Sequence, residues 1–523
     1  IYSEKMLKQK LLDSSENEPL LDEPGPNNKM IYFYYLLQKN EAAMAELGVS
    51  QNHLVGTAVE GGRKFPQYVA ALAATLGALA AGSMLGWSSP VVFRITQDNS
   101  TDYDFTITEA NESWISSLIN LGAALVCFPI GLIMDAIGRK KTMLLLVLPF
   151  TLGWSLIIWA GNVGMLMAGR FITGIAGGAF CVTAPAYTSE IAQDSIRGTL
   201  GSYFQLMITI GILFAYVAGN YTSVFVFNIL CGLIPIIFGA VFFFMPESPK
   251  YLAMKGKNEE ARKSLVWLRG DEYDVDSELN YLKRQQEESQ ANQTSFRTSI
   301  TKRNVVKAIV ICYFLMVFQQ LSGINAVIFN TSSIFSSAGA SFPEAISSII
   351  IGVIQVIATF VASLVVDRLG RRILLLLSAL IMCLCSLALG VYFYLKDAGS
   401  DAIHSISWLP LLALSLFIIA FSIGFGPIPW MMAGELCLIN IKAFVSSTAG
   451  TLNWLLSFAV TSAFSALKGS IGMGQVFWIF SSIMILAFLF IFFIVPETKG
   501  KSVDEIQVLL GATPTPPVRE EKN

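Results

Sequence analysis

The sequence predicts an all-α membrane protein with twelve transmembrane helices in two six-helix halves. Three observations carry that prediction. Charged residues are 14% of the 523, where a soluble domain has about a quarter, and the mean hydropathy is +0.59. The charge is segregated, with 46 of the 72 charged residues in 1–67, 246–303 and 496–523, which leaves two long apolar blocks. The two blocks also echo one another motif by motif. This composition excludes a soluble fold and a disordered chain. A net charge of −2 gives no electrostatic basis for binding nucleic acid.

A helix that crosses the hydrocarbon needs about 20 mainly apolar residues. The first block offers six such stretches, near 68–90, 114–134, 142–161, 164–188, 199–219 and 223–245. The second offers six more, near 305–328, 345–366, 373–395, 407–433, 443–466 and 472–495. The domain division is therefore a tail at 1–67, a six-helix half at 68–245, a linker at 246–304, a second half at 305–495 and a tail at 496–523. Short loops on one side carry Arg139, Lys140, Lys141, Arg197, Arg368, Arg371, Arg372 and Lys442, and those on the other carry Arg94, Lys396 and Lys468. The positive-inside bias puts both termini and the linker in the cytoplasm of a multi-pass cell-membrane protein. Asn99 and Asn111 begin Asn-x-Ser/Thr sequons in the first outside loop and are glycosylation candidates, while Asn292 begins one on the inside. No signal peptide is expected, because 1–67 is charged and its longest apolar run is short. The seven cysteines lie in or beside apolar stretches and read as packing residues. Two histidines offer little for a metal, so neither metal nor cofactor is expected.

The echoes are specific. Asp135-Ala-Ile-Gly-Arg139-Lys follows the second span and Asp367-Arg-Leu-Gly-Arg371-Arg372 the eighth. Glu190 and Arg197 stand seven residues apart after the fourth span, as Glu435 and Lys442 do after the tenth. Pro-Glu247-Ser closes one block and Pro-Glu497-Thr the other. Two halves in parallel repeat are the layout of transporters that rock about a midplane site. Carboxylates and bases at the cytoplasmic helix ends are expected to gate the path by pairing across the halves when that side closes. The competing reading is that these residues are only topology anchors at the interface.

These motifs resemble the sugar porter family of the major facilitator superfamily, which includes the glucose transporters. The resemblance runs over roughly 66–505 and rests on GRK at 138–140, GRR at 370–372, PESPK at 246–250, QQLSGIN at 319–325, GPIPW at 426–430 and PETKG at 496–500. LGWSSP at 85–90 resembles the subgroup that contains intracellular glucose transporters and insect facilitated trehalose transporters, and GFGPIPWMMAGEL at 424–436 is most similar to the insect trehalose transporters. Lys250 and Lys442 stand where the family usually has arginine, which keeps the charge but loses the bidentate fork.

A sugar presents many hydroxyls and no charge, so its site needs neutral donors and acceptors beside a flat apolar face. Amides in apolar helices are costly unless paired or facing water, which makes them functional candidates. The resemblance implies that Gln205, Gln319, Gln320, Asn325, Trp430 and Asn453 contact sugar. Gln355 stands where glucose transporters have asparagine. The competing reading for each is a helix–helix hydrogen bond, worth about 0.6 kcal/mol in a membrane. Trp454 reads as a packing aromatic. Gly323 lets the seventh span unwind, and Pro427 and Pro429 break the tenth, which the resemblance makes a gate.

Proton coupling needs a titratable group in the path. Proton-coupled relatives place an aspartate in the first helix opposite an arginine in the fourth. Here 68–90 holds no Asp, Glu or His, and Ser88 and Ser89 stand there, although Arg170 is present. Facilitated uniport of trehalose or a hexose by alternating access is the expectation. The alternatives are a proton-coupled symporter and a non-transporting sensor of the same fold, though the segment after Pro496 is short for a sensor. No nucleophile–base pair or metal cluster suggests an enzyme. In the linker, 258–269 reads as an amphipathic helix capped by Asn258, with a second at 274–288, forming a small cytoplasmic cluster. Glu16-Asn-Glu-Pro-Leu20-Leu21 fits an acidic dileucine signal that a trafficking adaptor would read, giving cycling to internal membranes. The partners expected are thus a small-molecule sugar, the bilayer and that adaptor.

Overall fold

The computed structural model describes residues 62–96, 102–291, 300–339 and 342–512. Leu20, Leu21, Asn99 and the Asn292 sequon lie outside them. Span 1 is Phe65–Gly86 continued by Ser88–Ile95. Span 2 is Glu109–Cys127 with Pro129–Ile137, and span 3 is Arg139–Leu145 with Val147–Ile158. Spans 4, 5 and 6 are Val163–Ile191, Arg197–Tyr221 and Val224–Phe242. Span 7 is Arg303–Leu321 followed by Ile324–Phe329 and Thr331–Ala338. Spans 8 and 9 are Glu344–Leu369 and Arg371–Asp397. Span 10 is Leu409–Ile423 with Ile428–Leu436, and spans 11 and 12 are Ile439–Ile471 and Met473–Ile494. Among the described residues, eleven helices are long and apolar enough to cross a membrane. The count is twelve when Ala110–Cys127 and Pro129–Ile137, bent by 51°, are one span. Pro129 has no N–H to bond back along the helix, which accounts for that bend.

Small residues let the helices approach closely, as membrane packing requires. A methyl group on Gly82 of span 1 would lie 2.1 Å from the Ile208 carbonyl oxygen of span 5, so the two backbones are in contact. Breaks fall where the sequence weakens the ladder. Gly323 is left-handed (φ 85°) between two segments of span 7, and span 10 stops between Ile423 and Ile428 around Gly424 and Pro427.

The halves touch through neutral groups. Ser89 and Ser332 hydroxyls lie 3.0 Å apart, Tyr216 Oη donates to the Ile328 carbonyl (2.8 Å), Ser113 Oγ donates to the Ser462 carbonyl (2.8 Å), and Asn120 Nδ2 donates to Thr461 Oγ1 (3.1 Å). These contacts sit toward the end of the bundle away from the Gly-Arg motifs. The end carrying the motifs, called here the basic end, holds its ion pairs inside each half.

The linker forms helices Pro249–Met254, Asn258–Arg269 and Val275–Ala291. Tyr251, Leu252, Ala261, Leu265, Val275 and Leu279 pack into a small core of their own. Asn258 does not cap its helix. Lys257 occupies the N-cap position with no side-chain capping bond, its ammonium pairing with Glu260 (2.9 Å), and Asn258 is the first helical residue. Asp274 does accept from the Ser277 N–H, 3.1 Å away, at the start of the next helix. Arg269 ties this cluster to the first half, pairing with Glu278 (3.0 Å) and donating to the Ile191 carbonyl at the end of span 4 (2.7 Å). The segment after span 12 docks similarly on the second half, where Gln507 bonds Asn304 (2.7 Å) and the Leu436 carbonyl (2.6 Å).

Candidate functional site

At the basic end the repeated motifs resolve into one device built twice. Glu247 Oε1 accepts from the backbone N–H groups of Arg139 (3.0 Å), Lys140 (2.9 Å) and Ser248 (2.9 Å). Glu497 accepts in the same way from Arg371 (2.9 Å), Arg372 (3.1 Å), Thr498 (3.0 Å) and Lys499 (3.0 Å). Each carboxylate therefore caps the N-terminus of a distant span, where orphan N–H groups and the helix dipole favour negative charge. Burial works against ionisation of Glu497, but those four N–H groups outweigh it and hold the carboxyl below its ordinary range. The glycine of each motif follows from this geometry. Gly138 and Gly370 have φ of 102° and 92°, and a methyl group on Gly138 would meet Glu247 Oε2 at 2.4 Å. Gly138→Ala is expected to cost about 2–3 kcal/mol, from backbone strain plus the displaced carboxylate. Gly131→Ala, which meets open space, is expected to be neutral or stabilising in the same thermal-unfolding assay of the purified protein.

The arginines complete the device. Arg139 binds both oxygens of Glu190 (2.9 and 3.1 Å) and reaches Asp135 (3.2 Å), while Ser248 Oγ donates to Glu190 (2.5 Å). In the other half Arg371 pairs with Glu435 (3.0 Å), and Thr498 Oγ1 donates to Glu435 (2.6 Å). The expected pairing across the halves is not the arrangement here, because these bonds join residues of one half in a structure whose halves meet at the opposite end. The seven-residue spacing does not pair Glu190 with Arg197 either. Arg197 instead binds Asp194, three residues away, at 2.6 Å. Lys442 lies against Gly434, and Arg372 donates to the Phe492 carbonyl. The Asp367 side chain is outside what the structure describes.

Midway along the second half, the amides form one network. Gln320 Nε2 donates to Asn453 Oδ1 (2.8 Å), and Asn453 Nδ2 donates to Gln319 Oε1 (2.7 Å). Asn325 Nδ2 reaches Gln320 Oε1 (2.8 Å) and Ser457 Oγ (2.7 Å). Gln319 Nε2 is spent on the carbonyls of Phe425 (2.6 Å) and Gly426 (2.9 Å), which the break in span 10 strips of helical partners. In this state Gln319 thus makes the helix–helix bond that was the competing reading of its role. Trp430, in the second segment of span 10, is 43% exposed. Its ring lies against Gly450, one turn from Asn453 on span 11.

Gln205 and Gln355 stand apart from the network. Gln355 is 3% exposed, and its Oε1 finds no hydrogen-bond partner among the described residues. It lies one turn from Gly352, which packs on Leu213 and Tyr216 of span 5. Gln205 is eleven residues before Tyr216, about 20° off the same helix face and about 16 Å along the axis. At Tyr216 that face meets span 7, and Gln205 is half-buried while Gln355 is buried. Trp454, read as packing, is buried but leaves its Nε1–H without a partner among the described residues. Sequence reasoning missed Ser457, Thr461 and Asn120. The polar stripe Asn453, Ser457, Thr461 at four-residue spacing was the available signal, and its last two members carry a bond to Asn325 and the contact to span 2.

Arg170, expected from the sequence among the gating charges, lies away from the basic-end ion pairs. It is fully buried within the first half, donating to the carbonyls of Ile115 (3.1 Å) and Met84 (3.0 Å) and to Ser88 Oγ (2.6 Å), with the Trp87 ring 4.4 Å from its guanidinium. Trp87 Nε1 in turn donates to Asn228 (2.7 Å). Asn111 lies in the first turn of span 2, behind the Thr108 cap, and the Ser113 hydroxyl of its sequon is the group bonded to Ser462.

Two pseudo-repeated helical halves with a polar midplane and ion pairs at one end define a multi-pass membrane transporter of the major facilitator architecture. Residues 70–510 match the family described as "Sugar (and other) transporter", and the chain belongs to that family. It is similar to the facilitated trehalose transporter Tret1 of Culex quinquefasciatus, with 38% identity over 445 residues, or 85% of each chain. Tret1 of Aedes aegypti is 38% identical over 443 residues, which are 84% of this chain but 54% of the longer relative. Among solved structures, the partially occluded inward open conformation of the xylose transporter XylE from E. coli superposes with a TM-score of 0.70 at 24% identity. The match covers 83% of this chain and 99% of that one, a likeness of fold.

Proposed function

We propose that the chain is a facilitative uniporter for a neutral sugar, with trehalose the leading substrate and hexose the alternative. The relatives named above are called facilitated trehalose transporters, which supports that class of substrate. The chemistry of the midplane fits it. Gln205, Gln355, Gln320, Asn325 and Asn453 offer neutral donors and acceptors, and Trp430 offers an apolar face. The observation that carries uniport is the environment of Arg170, whose charge is answered by two carbonyls, a serine hydroxyl and an indole face. Among the described residues, no carboxylate bonds Arg170 to take up and release a proton during the cycle.

With the basic end taken as cytoplasmic, the neutral contacts between the halves close the outer side and the structure is inward-facing. Transport then requires these contacts to open while the basic ends approach, and the ion pairs inside each half keep each six-helix unit rigid during that motion. The cell membrane is the proposed location. Counterflow in vesicles of the purified protein tests the substrate. Preloaded unlabelled trehalose is expected to drive accumulation of labelled trehalose, and counterflow with glucose alone rejects the trehalose reading.

A further inference from the structure

A groove of about 490 Å³ opens between spans 3 and 6 near the basic end, lined by Val147, Ile236, Gly239, Ala240, Phe243 and Phe244. Its volume is that of an ordinary small-molecule site, about 300–1,000 Å³, yet apart from backbone its walls are entirely apolar. Gly239 and Ala240 make the concavity, and the exposed rings of Phe243 and Phe244 extend it toward the membrane surface. At its mouth the Lys140 ammonium sits 5.6 Å from the centroid of the Phe243 ring and makes no hydrogen bond to a described residue. Lys141 beside it is exposed.

Among the described residues, the counterpart of Lys140 in the second half is bound differently. Arg372 takes Lys140's place in the repeated motif, but it donates to the Phe492 carbonyl and lies 6.0 Å from that ring. The first half thus combines an apolar slot in the hydrocarbon with a half-buried ammonium that feels the nearby Glu247 carboxylate but spends none of its N–H groups on a described residue. An acyl chain fits the slot and a phosphate fits the cation, since basic residues at a membrane surface attract anionic lipids. We propose that this groove is a binding site for one anionic phospholipid of the leaflet at the basic end, with a chain along Gly239 and Ala240 and its phosphate on Lys140 and Lys141.

Native mass spectrometry of the purified protein, titrated with phosphatidylglycerol or phosphatidylcholine, tests the site. The wild type is expected to retain the anionic lipid about fivefold better per basic residue engaged. Lys140→Gln is expected to lose most of that preference, and Ala240→Phe, which fills the slot from a membrane-facing position, to lose it as well. Arg372→Gln serves as the control and is expected to keep it. Equal retention of the two lipids by the wild type overturns the proposal, as does an undiminished preference in either Lys140→Gln or Ala240→Phe.

Discussion

Replacing Gln320 by leucine is expected to weaken sugar binding by about 10- to 100-fold. Gln320 is the hub of the amide network, with Nε2 donating to Asn453 and Oε1 accepting a hydrogen bond from Asn325. Leucine has nearly the same volume but makes neither bond, so Asn453 Oδ1 loses its donor and Asn325 Nδ2 keeps only Ser457. An unsatisfied buried polar group costs about 1–3 kcal/mol, and a lost contact to a sugar hydroxyl adds to that. Binding of labelled sugar to the purified protein reads the loss directly. Asn330→Ala serves as a comparison, because the Asn330 amide donates back to the Ala326 carbonyl of its own span, 2.9 Å away. It is expected to leave affinity within about threefold, a difference under about 1 kcal/mol.

The second large effect is on stability. Glu190→Gln removes the charge that answers Arg139, a pair whose side chains are 12% and 8% exposed. Breaking a buried pair from one side costs about 3–5 kcal/mol, and the exposed Asp135 offsets part of that, so about 3 kcal/mol is expected. The matching change Glu435→Gln is expected to cost less, because Glu435 and Arg371 are 28% and 11% exposed and water answers part of the lost charge. Thermal unfolding of the two purified variants checks the order. Equal losses would mean that the two copies of the motif are energetically interchangeable despite their different burial.

Much of this was legible in the sequence because membrane physics leaves few choices. Apolar length gave the spans, and the Asp-x-x-Gly-Arg and Pro-Glu-Ser/Thr echoes marked the repeat. What the motifs do was less legible. The charges were expected to pair across the halves, whereas in this state the fold turns Glu190 toward Arg139 of its own half, 51 residues away, and leaves Arg197 to Asp194. The capping role of Glu247 and Glu497 needs the end of one span to lie over the start of another, a relation that no local pattern encodes. The amide candidates were legible as costly polar groups, but their mutual bonding was not, since it depends on how span 7 unwinds at Gly323 and how span 10 breaks before Pro427. The same break explains why Gln319, chosen as a sugar contact, instead holds the freed carbonyls of Phe425 and Gly426 in this state.

The central claim is uniport, and it rests on Arg170 bonding Ser88 rather than a carboxylate among the described residues. The most direct test is uptake of labelled trehalose into vesicles of the purified protein, with and without an imposed proton gradient and with the gradient collapsed by an uncoupler. The account predicts the same initial rate and the same final level, equal inside and outside, in all three conditions. Accumulation above the outside concentration that is driven by the proton gradient and abolished by the uncoupler would contradict it.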